Sequence, residues 1–213
     1  MSVASLTLVL VIAYGLTIAP GLTWANQGDD GGDLITAAAV LGVAHSTGYP
    51  TYLILARLFQ LLPFGNLAFR TTLLSAASAI AASLVIRALV IELRPARDNP
   101  LAGETAGWFA GSAFGLSALL WSQAVIAEVY TLHALGLALI LIGMTRLTQR
   151  ASLGSADRAC ALAGGLALGN HLTVLWILPL YLAALLWRSA RLPRRFAASL
   201  WLCFVMGLMI NLY

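Results

Sequence analysis

LAFRTTLLSAASAIAASLVIRALVIEL, residues 67–93, decides the fold. It exceeds the about 20 mostly apolar residues that a helix needs to cross a bilayer. Its charges are confined to its two ends, Arg70 at one and Arg87 and Glu92 at the other, and it closes on Arg94-Pro95. The rest of the chain has the same character. Of 213 residues, 61% are hydrophobic and 9% are charged, where a soluble domain carries roughly 25% charged residues. So few charges cannot solvate a water-facing surface, and the missing solvent is lipid. The formal net charge of +4 would suggest nucleic acid in a soluble protein. Here all the basic residues are arginines, and their placement follows a membrane rule, so no nucleic-acid partner is expected.

Further spans follow on both sides. Residues 3–19 form one, ending at Pro20-Gly21; the absence of Arg or Lys before it argues against a cleaved signal peptide. Residues 106–120 and 125–145 form two more, followed by a basic segment, 146–158. The apolar run 159–187 is too long for one crossing and short for two, with Gly169-Asn170-His171 as a polar break near its middle. Arginines collect on the cytoplasmic side, and this arbitrates. A hairpin places Arg87, Arg94, Arg97, Arg146, Arg150, Arg158, Arg188, Arg191, Arg194 and Arg195 inside, leaving only Arg57 and Arg70 outside; a single crossing divides them evenly. With a last span at 196–213, the expected fold is an all-α polytopic membrane helix bundle of about seven transmembrane helices. It forms a single transmembrane domain, 1–213, with its N-terminus cytoplasmic and its C-terminus outside, in a bacterial-type inner membrane. The outer loop 21–66 holds two apolar segments, 34–44 and 51–62, too short to span and read as interfacial helices.

Three places then share the outer face: loop 21–66, a turn at Trp121-Ser122-Gln123, and the turn Gly169-Asn170-His171. The loop opens with Asn26-Gln27-Gly28-Asp29-Asp30-Gly31-Gly32-Asp33. Carboxylates just past a span can deprotonate an acceptor hydroxyl or coordinate a divalent cation; a solvated Asp-Gly turn with Asp33 as a helix cap explains them equally. Glu128 is the most informative residue, because an ionisable group near a helix end in lipid is a functional-site hypothesis by default. Gln123, Tyr130 and His133 lie along the same segment, and Asn170 with His171 forms a further cluster. Arg57, inside the second interfacial segment, faces headgroups or an anionic ligand. His45, His133 and His171 come from separate segments without metal-ligand spacing, so no metal ligands are assigned. Cys160 and Cys203 read as packing residues.

Taken in order, Asp30-Gly31-Gly32-Asp33-Leu34, His45-Ser46-Thr47-Gly48-Tyr49-Pro50, Leu62-Pro63-Phe64-Gly65-Asn66, Phe69-Arg70, Gln123-Ala124-Val125 through Glu128-Val129-Tyr130, and Gly169-Asn170-His171 resemble the N-terminal part of a family of GT-C type membrane glycosyltransferases. The family includes relatives of transmembrane protein 260, a protein O-mannosyltransferase. The resemblance implies a polyprenyl-phosphate-linked sugar as donor, work on the non-cytoplasmic face, and inversion at the anomeric carbon. It implies Asp30 as catalytic base, with Asp33 where the family usually has Glu and Glu128 as a further acidic group. Candidate substrate-binding residues are His45, Tyr49, Arg57, Arg70, Gln123, Tyr130, Asn170 and His171, of which the arginines and histidines would stabilise the departing phosphate. The sequence departs from the family pattern at Ser46-Thr47, where relatives show Pro-Pro, at Thr72, near which they have Asn, and at His133, where they also have Asn. Family members are generally longer, so this chain is expected to be an N-terminal part or a compact relative.

The expected function is therefore transfer of a sugar from a polyprenyl-phosphate donor to an acceptor hydroxyl, with membrane lipid and lipid-linked sugar as partners. The competing expectation is a non-catalytic subunit of a larger respiratory or photosynthetic membrane complex, in contact with other membrane subunits. A transporter is disfavoured because no repeated halves are visible.

Overall fold

A computed structural model describes residues 2–93 and 99–213. Arg94 and Arg97, counted above among the inside arginines, and the Arg94-Pro95 helix end lie outside the described residues. Among those described, every regular element is a helix: α1 (Val3–Gly15), α2 (Gly31–Val40), α3 (Pro50–Gln60), α4 (Leu67–Glu92), α5 (Pro100–Gly115), α6 (Ala118–Ala124), α7 (Tyr130–Gln149), α8 (Ser155–Leu168), α9 (Leu178–Ser189) and α10 (Arg194–Leu208), with short 3₁₀ turns at Ala25–Gln27, Leu172–Trp176 and Met209–Leu212.

Local chemistry sets several of the boundaries. The side-chain oxygens of Ser2, Asn66, Asn99 and Ser117 accept backbone N–H groups in the first turns of α1, α4, α5 and α6, satisfying donors that a helix start otherwise leaves bare. Pro50 and Pro100 stand at helix starts, where the missing N–H is no loss.

Helix α4 is the central post, packed against α3, α5 and α7. Its buried face carries Thr71, Thr72, Ser75, Ser78 and Ser83. Thr71, Thr72 and Ser83 turn their hydroxyls back to carbonyls one turn earlier, so small polar side chains lie at the helix interface without orphaned donors. Helices α8 and α10 meet backbone to backbone: a Cβ on Gly165 would strike the Phe204 carbonyl, and one on Gly207 the Leu162 carbonyl.

Side-chain contacts fix the directions. Trp108 Nε1 donates to Ser5 Oγ and Tyr14 Oη to the Gly115 carbonyl, so α1 and α5 run together. Arg87 pairs with Glu104, which sets α4 antiparallel to α5. Arg150 grips Glu92, which ends α4 and α7 at the same side. Arg188 at the end of α9 donates to the carbonyls of Arg150 and Ala151, so the run 159–187 does double back at its polar break. Tyr213, after α10, reaches the Gly42 carbonyl at the opposite end. The helices α1, α4, α5, α7, α8, α9 and α10 thus alternate in direction.

Three segments are long and apolar enough to cross a membrane by length and composition: Leu67–Glu92, Tyr130–Gln149 and Arg194–Leu212. Val3–Gly15 and Gly31–Val40 are apolar but shorter. Two expected boundaries are corrected. Trp121-Ser122-Gln123 is not a turn but part of α6; the turn is the non-helical stretch 125–129, and α7 starts at Tyr130. The reason is local: Ser75 bonds the backbone of Glu128 in both directions and holds it out of a helix.

Candidate active site

The first cluster is built by the two short helices. Asp30 immediately precedes α2 and Asp33 lies in its first turn. Leu41, left-handed at φ 51°, ends α2 and turns the chain back over its own start. This brings His45 to the two carboxylates. The His45 backbone N–H donates to Asp33 Oδ2 at 2.9 Å, its Nδ1 lies 2.8 Å from the same oxygen, and its Nε2 lies 3.4 Å from Asp30 Oδ2. The backbone N–H of His45, then its ring, hold the Asp33 carboxyl below its ordinary pKa. Asp33 in turn raises that of His45. Tyr49 packs edge-on against His45 with ring centroids 5.3 Å apart. Gly48 and Tyr49, both at positive φ, swing the chain into α3.

Glu128 supplies the second acid. It sits in the 125–129 turn with only 2% of its surface exposed. Ser75 Oγ donates to its carbonyl at 3.0 Å, its N–H donates to Ser75 Oγ at 3.2 Å, and the Val129 N–H donates to its Oε2 at 3.3 Å. Burial pushes its carboxyl pKa up to about 7, with the charge of Asp30 adding to the rise and the Val129 N–H opposing it. Near neutrality Glu128 can therefore hold or release a proton, while Asp33 stays ionised.

Asp30 and Glu128 line one cavity of about 450 Å³. Gln27, Gln123, Tyr130 and His133 supply further polar wall, and Phe114, Leu119, Leu120 and Ala134 an apolar one. Paired acids beside an apolar wall suit an amphiphilic ligand. Gln123 donates to the Asn26 carbonyl at 3.1 Å, tying α6 to the acidic loop.

The third cluster comes from the break between α8 and α9. Asn170 Nδ2 donates to the Val129 carbonyl at 3.2 Å. The Gly169 carbonyl accepts the Thr51 N–H at 3.0 Å, and the Thr51 hydroxyl donates to the Leu166 carbonyl at 2.7 Å. The His171 ring centroid then lies 4.8 Å from that of His133, 5.9 Å from Tyr130 and 6.5 Å from Tyr49. Burial lowers the pKa of His171.

Most of the residues singled out from sequence are thus brought together: Asp30, Asp33, His45, Tyr49, Gln123, Glu128, Tyr130, Asn170 and His171 share one end of the bundle. The two arginines are not. Arg70 spends its guanidinium on the carbonyls of Phe64, Gln60 and Gly65, at 2.7, 2.8 and 2.7 Å, closing the loop after α3. Arg57, late in α3, makes no hydrogen bond or ion pair among the described residues and does not line the cavity. Among the described residues His133 is the histidine that lines the cavity, while His45 is engaged by Asp30 and Asp33. Among the described residues no group of three His, Cys, Asp or Glu side chains could hold a metal ion, and His45 stands between Asp30 and Asp33 where a cation would sit. Sequence reasoning passed over Ser75 and Thr173. The Ser/Thr spacing along α4 was the available signal for the first, and the His-x-Thr pattern at 171–173 for the second.

Residues 30–194 match the family model described as "Protein O-mannosyl-transferase TMEM260 N-terminal domain". The chain belongs to that family. It is 35% identical over 196 residues to the protein O-mannosyl-transferase TMEM260 of Mus musculus, across 87% of this chain and 26% of the mouse protein. The chain therefore spans about a quarter of the length of that relative. No solved structure matches it. The family match begins at Asp30 and takes in all three polar clusters. Membership supports an integral membrane protein, in agreement with the apolar helices.

Proposed function

We propose that this chain is a glycosyltransferase of the GT-C kind that moves a sugar, by its likeness to the mouse enzyme a mannosyl group, from a polyprenyl-phosphate donor to a protein hydroxyl. The observation that carries this reading is the shared cavity: Asp30 and Glu128 face one volume that has an apolar wall on its other side. Asp30, half exposed at the cavity mouth, takes the proton of the acceptor hydroxyl. The acceptor oxygen attacks the anomeric carbon, the bond from that carbon to the phosphate oxygen breaks, and the configuration inverts. The polyprenyl phosphate leaves with the bonding pair. His171, whose ring stands beside those of the cavity-lining Tyr130 and His133, is the donor offered to it. Phe114, Leu119 and Leu120 receive the first isoprene units. No step requires a cation.

In this reading the seven alternating helices all cross, and the polar end faces away from the cytoplasm. Arg146, Arg150, Arg188, Arg191, Arg194 and Arg195 at the other end then obey the positive-inside rule. A role as a non-catalytic subunit fits less well, since two carboxylates lining a cavity make a poor packing surface.

The test is transfer from polyprenyl-phosphate mannose to a serine- and threonine-containing peptide, with the full chain in lipid nanodiscs. Asp30→Asn is expected to lower the rate about 100-fold or more while donor binding persists. Transfer by Asp30→Asn at the original rate would overturn the assignment.

A further inference from the structure

The turn after α8 contains a hydrogen-bonded chain that the reaction as written does not use. Thr173 Oγ1 lies 2.8 Å from His171 Nδ1 and 2.9 Å from His133 Nε2. The Thr173 backbone N–H also donates to His171 Nδ1, at 3.3 Å. One hydroxyl therefore joins two imidazoles from different helical segments, and the two ring centroids lie 4.8 Å apart with the planes tilted by 36°.

We propose that Thr173 is a positioning residue that fixes the tautomers of both histidines, so that His171 presents an Nε2–H donor to the departing phosphate and the His133 ring is held in place in the cavity wall. This rests on the function proposed above, but the hydrogen-bond logic stands without it. A nitrogen that accepts a backbone N–H carries no proton, so His171 Nδ1 is unprotonated and the ring proton of the neutral imidazole is on Nε2. With Nδ1 an acceptor, the Thr173 hydroxyl donates to it. That hydroxyl oxygen can then only accept from His133 Nε2, which must carry the proton of that ring. His133 Nδ1 is left bare, and among the described residues it is buried without a partner. The ring itself forms part of the wall of the cavity shared by Asp30 and Glu128, so its orientation shapes that wall. No hydrogen bond within the chain occupies His171 Nε2 among the described residues, and the ring is set between those of Tyr49 and Tyr130.

The chain holds three histidines, which makes ¹⁵N histidine spectra of the full protein in detergent assignable by single substitutions. Both His133 and His171 are expected as Nε2–H tautomers in the parent protein. Thr173→Val keeps the backbone N–H on His171 Nδ1 but removes the hydroxyl that His133 Nε2 meets, so it is expected to leave His171 as Nε2–H and give a mixture at His133, and Thr173→Ser to restore the parent pattern. In the transfer assay Thr173→Val should lower kcat about tenfold with little change in donor KM, and Thr173→Ser should stay within about twofold. An Nδ1–H tautomer at His171 in the parent protein, or an unchanged spectrum in Thr173→Val, would overturn the proposal. The spectra read the tautomers whether or not transfer is observed, so failure of the relay and failure of the transferase reading are distinguishable.

Discussion

Asn170 donates its side-chain amide to the backbone carbonyl of Val129, 3.2 Å away and buried from solvent. That bond fastens the α8–α9 turn to the residue next to Glu128, and it explains how a polar tripeptide in an apolar run comes to matter to the acidic cavity. Asn170→Ala is expected to leave the Val129 carbonyl with only its helical partner, the His133 N–H, and to destabilise the protein by about 0.5–1.5 kcal/mol, read as a lowered thermal midpoint in detergent. Asn170→Gln should not rescue it, because the longer side chain overshoots the carbonyl. An unchanged midpoint for Asn170→Ala would show that the bond carries no weight.

Glu128 should impose a pH slope on stability. Its ordinary value is 4.5 and its folded value about 7. Between these the native state binds more protons than the unfolded chain, so stability falls as pH rises through the window and stays low above it. The full effect is about 3 kcal/mol. Glu128→Gln should flatten the thermal midpoint between pH 5 and 8, and be at least as stable as the parent at pH 8. An equal slope in both proteins would place the titrating group elsewhere.

The α8–α10 contact leaves no room for side chains. Gly165→Val should force the two backbones apart at Phe204 and Leu208, since the atoms in the way are backbone and cannot rotate aside. The expected loss is about 1–3 kcal/mol, and Gly207→Val should cost about the same. Because both changes break one interface, the double variant should lose less than the two losses added. Full additivity would mean the glycines act separately.

Arg70 is expected to be structural. Arg70→Ala removes three charge-assisted hydrogen bonds to loop carbonyls and should speed proteolysis at residues 61–66 while donor affinity is unchanged. Arg70→Lys should recover little, as one ammonium cannot span the three acceptors that a planar guanidinium reaches. A donor KM raised tenfold by Arg70→Ala, with the loop still protected, would return Arg70 to the binding site.

The helical character, the two short helices before α4 and the doubling-back at 169–171 were all legible, because apolar length and arginine placement respond to lipid alone. The site was legible residue by residue but not as a constellation. That His45 would fall on Asp33 depended on a left-handed Leu41, a conformation its own side chain does not favour, although Gly42 beside it marks a helix end. The seat of Glu128 depended on Ser75, one hydroxyl among several on α4. Arg70 makes contacts that the sequence did not suggest. A lone cation in an apolar context suggests an anionic ligand, yet Arg70 found three bare carbonyls at a loop, which sequence does not display.

Thr51 is bonded twice to the end of α8, through its backbone to Gly169 and through its hydroxyl to Leu166. The loop bearing His45 and the turn bearing His171 therefore ride on a common hinge-free brace and cannot part company. Any rearrangement that separates these two histidine-bearing segments must first break both bonds, so a single threonine latches them together.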